Sequence, residues 1–492
     1  MLANKYYTVR GKSFLNLLVI DIIIMVFSVG SAVGQGLPQN EGKIFRAGAA
    51  VSNITPNVGS SINGSMQDHK IRTIHDDTFA KSIVLDDGST RLAVVVSDLC
   101  MIYREQLDAA KQRAKEFTGI PVENMLMSAT HTHSAGTACS VFQSDPDPEY
   151  LKLLEHRIAD AVIRANENLE PARIGWAVGH EPTQVFNRRW RMKPGTVITN
   201  PFGGTDQIKM NPGVGNPDLL EPAGPIDPEL PVVAIQSLEG RPIALLANYS
   251  LHYVGGTGPG EVSADYYGMF AQKMSDLMAV PGIQPPFVAI MSNGTSGNIN
   301  NIDFRGGQAK PSGPYAQMKT VANTVAAEAY KTVQRIQYHD WVPLARQHKE
   351  ISVGVRKPNQ KDLERARQIM QAAEGPNMKT MEEIYARESI LMSDFPDEKP
   401  IILQAFSIGD LAIAAIPAEV FVEIGLELKD KSPFSTTFTI SLANGYNGYL
   451  PTPEHHRLGG YETWRARSSY MEENASTKIT QTLMELLHAL RK

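Results

Sequence analysis

Hydrophobic positions along the chain follow two rhythms. Arg91-Leu-Ala-Val-Val-Val-Ser-Asp98 is an unbroken β-branched run that ends in polar residues, which predicts a buried strand. Leu107, Ala110, Ala114 and Phe117 then recur at helical spacing, Gly119 punctuates the end, and Met125-Leu-Met-Ser-Ala129 reads as the next strand. A strand–helix–strand unit sets the C-terminal ends of its strands on one rim of the sheet, where α/β folds bind ligands. His131 and His133 stand at that rim.

The pattern continues with an amphipathic helix over 150–168 and a hairpin joining 231–238 to 242–248. The run Phe287-Val-Ala-Ile-Met291 enters a Gly/Asn-rich loop over 292–300, expected to turn tightly and to offer backbone N–H groups to a ligand. Helices are predicted over 315–336 and 475–490, a charged helical surface excursion over 359–391, a second hairpin joining 401–408 to 411–416, and a strand over 436–442. The Pro/Gly-rich stretches 194–224 and 255–260 read as long loops inside the body. The elements together predict a single large mixed α/β domain over residues 35–492, with its polar candidates at strand C-terminal ends.

Composition narrows the function. The chain has 492 residues, 47 Lys+Arg against 52 Asp+Glu, and a net charge of −5, which excludes an electrostatic nucleic-acid binder. Cys100 and Cys139 are the only cysteines, too few for a disulfide scaffold or a Cys-rich zinc ribbon, so a metal site would rest on His and carboxylates. At the N-terminus Lys5, Arg10 and Lys12 precede an apolar stretch over 14–29 and the small residues Ser31-Ala-Val-Gly34. That order predicts a signal peptide over 1–34 and a secreted or periplasmic protein, with a membrane anchor through 14–29 as the alternative.

In Thr130-His131-Thr132-His133-Ser134 an extended backbone would project both imidazoles to one side, where they can converge on an ion. Alone, a His-x-His in a loop is as readily a solvated pair. His252 closes the apolar run that begins at Ala244, and Glu419 follows the strand over 411–416. Three strand ends thus present His, His and Glu, the donor types that a catalytic zinc takes while keeping a position open for water. Each has a plainer reading too: His252 as a core histidine, Glu419 as a first-turn helix charge.

Four blocks in order carry a family resemblance: Met127-Ser-Ala-Thr-His-Thr-His-Ser134; Gly224-Pro-Ile-Asp-Pro228; Gly294-Thr-Ser-Gly-Asn-Ile-Asn300; and Pro417-Ala-Glu419 with Asn444-Gly-Tyr-Asn-Gly-Tyr449 and Gly460-Tyr-Glu462. The chain resembles the catalytic domain of the neutral, non-lysosomal ceramidases, zinc amidases that cleave N-acylsphingosine, in a shortened bacterial-type form. The resemblance implies zinc ligands at His131, His252, Glu419 and Tyr449, and a hydrogen-bonding or proton-transfer role for His133. It implies further that Arg188 and Tyr461 lie near the scissile amide. Asn300 stands where the family has an important serine, and its amide is expected to donate to the carbonyl or oxyanion instead; the family's C-terminal β-sandwich is expected to be missing. A lipid amide substrate, with membrane-surface association, is therefore set beside two alternatives. One is an amidase or esterase acting on a non-sphingoid substrate; the other is an inactive exported metal-binding protein.

Other residues stay open. Asp98 is expected behind a histidine ligand, since metal-bound imidazoles usually donate their other N–H to a carboxylate or carbonyl. His75-Asp76-Asp77 could form a separate cation site, His455-His456 could reach the pocket, and Asp265 reads as a rim residue.

Overall fold

In the computed structural model, which describes residues 42–307 and 311–491, eight strands form one mixed sheet. Their order is Val288–Asn293, Pro242–Tyr249, Glu229–Ser237, Glu170–His180, Arg46–Asn53, Phe79–Asp86, Arg91–Ser97, Met125–Ala129. The outermost pair at each edge is parallel and every pair between is antiparallel. The predicted leader over 1–34 lies outside the described residues.

Strand Arg91–Ser97 is an unbroken apolar run because both of its faces are covered. Leu92, Val94 and Val96 face a second sheet, while Ala93 and Val95 face helices. The second sheet has the order Leu344–Gly354, Glu398–Ile408, Leu411–Ala415, Thr436–Ile440, and it meets the first through a core that includes Ile174, Ile235, Phe406 and Phe438. Helices Arg104–Thr118 and Pro148–Glu167 cover one half of the large sheet's outer face, and Asp265–Met278 with Ala316–Val333 cover the other. Val422–Lys431 and Ala475–Arg491 close the far side of the smaller sheet. The result is the predicted mixed α/β fold, layered helix–sheet–sheet–helix. No helix among the described residues is long and apolar enough to cross a membrane.

Two expectations change. The stretch 359–391 is not only a surface excursion: it folds as Gln360–Ala372 and Met381–Ser393, and the second helix buries Ile384, Tyr385, Glu388 and Met392. A capping box between Thr380 and Glu383 starts that helix, and Arg467 neutralises Glu388. Within 194–224 the chain adds short strands Ile198–Thr199, Thr205–Asp206, Ile208–Met210 and Leu219–Pro222 rather than plain loop.

Gly48 sits where strand Arg46–Asn53 passes under the end of helix Pro148–Glu167, and a Cβ there would meet the Ala165 carbonyl oxygen at 2.2 Å. Backbone cannot yield as a flexible side chain would, so Gly48→Ala should cost roughly 1–3 kcal/mol of stability. Urea unfolding of the variant checks this; an unchanged midpoint would mean that strand and helix separate freely.

Candidate metal centre

Three buried side chains from distant parts of the chain meet at one point. His131 lies just beyond strand Met125–Ala129, in the left-handed region at φ 77°, with its N–H donating to the Leu99 carbonyl at 2.8 Å. His252 lies just beyond strand Pro242–Tyr249. Glu419 opens the short strand Glu419–Val420, which pairs in parallel with Tyr449–Leu450. His131 Nε2 is 3.1 Å from His252 Nε2 and 3.1 Å from Glu419 Oε2. His131 and His133 do come together, Nε2 to Nε2 at 3.2 Å, but through the left-handed turn at His131 and not through the extended backbone expected from spacing.

The outer atoms of each group are already held. His131 Nδ1 lies 2.8 Å from the Cys100 carbonyl oxygen and His252 Nδ1 lies 3.1 Å from that of Ser296. A carbonyl only accepts, so in the neutral imidazoles Nδ1 carries the hydrogen and both Nε2 lone pairs are bare. Glu419 Oε1 accepts from the Tyr446 hydroxyl at 3.0 Å, while Oε2 is buried and accepts no hydrogen bond. Bare lone pairs facing a carboxylate oxygen repel unless a cation lies among them. Tetrahedral zinc at its usual Zn–N and Zn–O lengths separates its ligand atoms by about 3.3 Å, close to the observed spacing. The donor set and its geometry therefore fit a zinc-like divalent ion.

Without a metal a proton fills part of that need. Burial works against charge on His131, but the Glu419 carboxylate and Cys100 outweigh it and lift its pKa to about 10. A second cluster, Cys100 with His131 and His133, is also compact. It is the poorer site, because burial pushes the Cys100 thiol up and His131 Nδ1 is already committed to a carbonyl.

A cavity of about 510 Å³ opens onto this point, lined in part by His133, Arg188, His252, Tyr253, Tyr449 and Tyr461. His133 stacks on Tyr253 at 3.7 Å, and burial, then the neighbouring His131 and Arg188 charges, hold its pKa well below the ordinary value. Its Nδ1 is buried and lies against Gly64. Tyr449 is the strand neighbour of Glu419, and its hydroxyl accepts from Arg188 Nη2 at 3.1 Å. Arg188 also donates to the Gly297 carbonyl at 2.7 Å and to Glu462 at 3.0 Å. Tyr461 presents its ring 5.7 Å from that of Tyr449, and its hydroxyl makes no hydrogen bond with the described residues. Asn300 stands apart: it donates to Asn211 at 2.9 Å and accepts from the Ile302 N–H, and Asn211 lines the cavity in its place.

Several expectations are corrected. Asp98 backs neither histidine ligand, because carbonyls hold both Nδ1 atoms; it pairs with Lys81 in the core. The 292–300 loop turns carbonyls towards the site, Ser296 to His252 and Gly297 to Arg188, rather than backbone N–H groups. Asp265 is a buried brace that accepts N–H bonds from Val254, Gly255 and Tyr266, fixing the loop after His252. His75 pairs with Asp76, and among the described residues every cluster compact enough for a metal includes His131. His455 does not line the cavity; it takes the Arg189 Nε hydrogen bond and contacts Glu423 at 2.9 Å.

Sequence reasoning missed Tyr446, Glu462 and Gly64. Tyr446 and Glu462 lie inside the quoted motifs, but only contacts reveal that Tyr446 holds Glu419 and that Glu462 bridges Arg188 and Arg189. Gly64, at φ +105°, has the His133 ring where a Cβ would stand, 2.4 Å away.

No family model matches the chain. Among solved structures it is similar to the neutral ceramidase from Pseudomonas aeruginosa, with a TM-score of 0.69 and 17% identity over 91% of this chain and 75% of that one. It is also similar to a ceramidase complexed with C2, with a TM-score of 0.67, 17% identity and the same 91% and 75% coverage. The chain has the mixed α/β fold of these enzymes.

His131→Ala and His252→Ala should each abolish stoichiometric divalent metal binding, measured by atomic emission after loading and desalting; metal retained in both would remove the site. Zinc added to metal-free protein near pH 7 should release about one proton, since the His131 pKa is lifted to about 10 and binding needs the bare nitrogen. Calorimetry in buffers of different ionisation enthalpy reads that release. Gly64→Ala should keep the zinc while displacing His133.

Proposed function

We propose that the protein is a zinc-dependent hydrolase of the neutral ceramidase type that cleaves the amide of a lipid, N-acylsphingosine or a related fatty amide. The observation that carries this reading is the convergence of His131, His252 and Glu419 beneath an amphiphilic cavity, supported by the ceramidase-like fold. In this reading Tyr449 completes the ligand set, and the bound zinc supplies Lewis-acid activation of water at neutral pH.

The chain's own residues do the rest. His133 is neutral, faces the ligand cluster through Nε2 and lines the cavity, so it takes the proton of the attacking water and returns it to the leaving amine. Tyr461 offers a free hydroxyl and Arg188 a fixed guanidinium to the oxyanion that develops on the carbonyl. Arg188 uses Nε and Nη2 on Glu462, Gly297 and Tyr449, which leaves Nη1 for substrate. No protein nucleophile is required, and an Asn at position 300 is compatible with that: an amide cannot attack a carbonyl, and Asn300 serves instead to fix Asn211 in the wall. Met66, Phe142, Ile208, Met210 and Trp464 give the cavity the apolar surface that an aliphatic chain needs. The basic and apolar N-terminal pattern supports export of the protein.

Purified protein loaded with zinc should hydrolyse a short-chain fluorescent ceramide or fatty amide, lose the activity to a chelator and regain it with zinc. His133→Ala should cut kcat by roughly 10²–10⁴-fold while zinc content stays unchanged. Zinc-replete protein that cleaves no amide or ester in a broad panel would sink the reading, and cleavage of aryl esters alone would move the substrate away from lipid amides.

A further inference from the structure

Behind the metal centre lies a second cavity of about 930 Å³, open to solvent. Its inner wall is made by Pro417, Asn444, Tyr446 and Asn447, the backs of the two loops that carry Glu419 and Tyr449. Tyr446 and Val141 line both this cavity and the small pocket at the ligand cluster, so they form the partition between the two. The outer walls are largely apolar, with Leu391, Phe395, Ile401, Ile402 and Tyr470. The volume is within the range of small-molecule sites.

Charge decides what such a site would take. Arg104 is matched by Asp108 and Glu350, and Arg467 by Glu388. Lys399 has no carboxylate at ion-pair distance among the described residues. Its ammonium instead sits over the rings of Phe395 at 4.0 Å and Tyr470 at 4.8 Å. Aromatic faces attract the charge but satisfy its N–H donors poorly. Glu105, also in the lining, is the acidic group whose field reaches Lys399, and its presence disfavours a multiply charged ligand. What is missing is one negative charge with hydrogen-bond acceptors, carried on an apolar body.

We propose that this cavity binds an aliphatic carboxylate, with its head at Lys399 and its chain along Leu391, Phe395, Ile401 and Ile402. The site needs neither the metal nor hydrolysis, so it stands or falls separately from the enzymatic reading. Its occupant would lie against Tyr446, the residue that holds Glu419.

The test is calorimetric titration of the full chain with laurate, below its micellar concentration and with a chelator present so that the metal centre takes no part. Saturable one-site binding is expected. Lys399→Glu, a partly exposed position that should fold normally, is expected to weaken it by about tenfold or more. Leu391→Trp, which fills the cavity without touching charge, should weaken it too, and dodecanol and dodecylamine should bind at least about tenfold less tightly. Absence of saturable laurate binding, affinity indifferent to Lys399→Glu, or dodecylamine binding as well as laurate would overturn the assignment. So would sensitivity to Met66→Trp, in the other cavity, without sensitivity to Leu391→Trp.

Discussion

The His131 Nε2 atom, with the His252 Nε2 atom and a Glu419 carboxylate oxygen each 3.1 Å from it in a water-poor interior, makes a cluster that is stable only around positive charge. Each buried polar atom left unpaired costs about 1–3 kcal/mol, so such an arrangement is not a by-product of packing. The surrounding structure is built to impose it. Carbonyls of Cys100 and Ser296 fix the two tautomers, and the Tyr446 hydroxyl takes the spare oxygen of Glu419. His131 accepts a backbone conformation that side chains rarely adopt, which is worthwhile only where the neighbourhood over-determines it.

How the two histidines reach one another follows from the sheet. Counting pairings, strand Met125–Ala129 runs opposite to Pro242–Tyr249, so their C-terminal ends should point to opposite rims. Strand twist of roughly 20–25° per step accumulates over the six pairings between them to about 120–150°, which swings the two ends towards one another. The segment after strand Thr436–Ile440 then ties the edges together: the Ser441 N–H donates to Asn293, the Ala129 N–H to Leu442, and the Asn444 N–H to Met127. Lys111 pins Asn444 from below at 2.8 Å, and burial lowers its pKa to about 8. The loop that presents Tyr446 and Tyr449 thus starts from a fixed point.

Much of this was legible in the residues, and the limits have physical causes. A strand buried on both faces writes itself as a continuous apolar run, as in Arg91–Ser97, and the helices behind it show their period plainly. Strand Arg46–Asn53 was not visible, because its buried positions are mostly Ala with Gly48 set to clear a helix, and small residues carry little strand signal. At the site, His131, His252 and Glu419 were readable as polar residues closing apolar runs. Tyr446 was not: two tyrosines three apart in a glycine-rich loop look equivalent until tertiary contacts separate one that holds a carboxylate from one that faces the cavity. Asp98 misled for a related reason, since a carboxylate at a strand end serves a buried lysine as well as it would a histidine.

The arginine beside the cluster shows the same economy of placement. Glu462, wholly buried, receives Arg188 on one oxygen at 3.0 Å and Arg189 on the other at 2.7 Å. Arg189 continues to His455, which contacts Glu423, and Glu423 in turn accepts from Asn298. A buried charge without partners is costly, but here each has one, and the chain of contacts reaches the loop that carries Gly297, whose N–H donates to Val420 on the strand that carries Glu419. Arg188 is therefore set in place by both of the segments that build the centre. A guanidinium held this way keeps its direction without reorganising when charge develops in front of it, which a flexible cation at the same distance could not do.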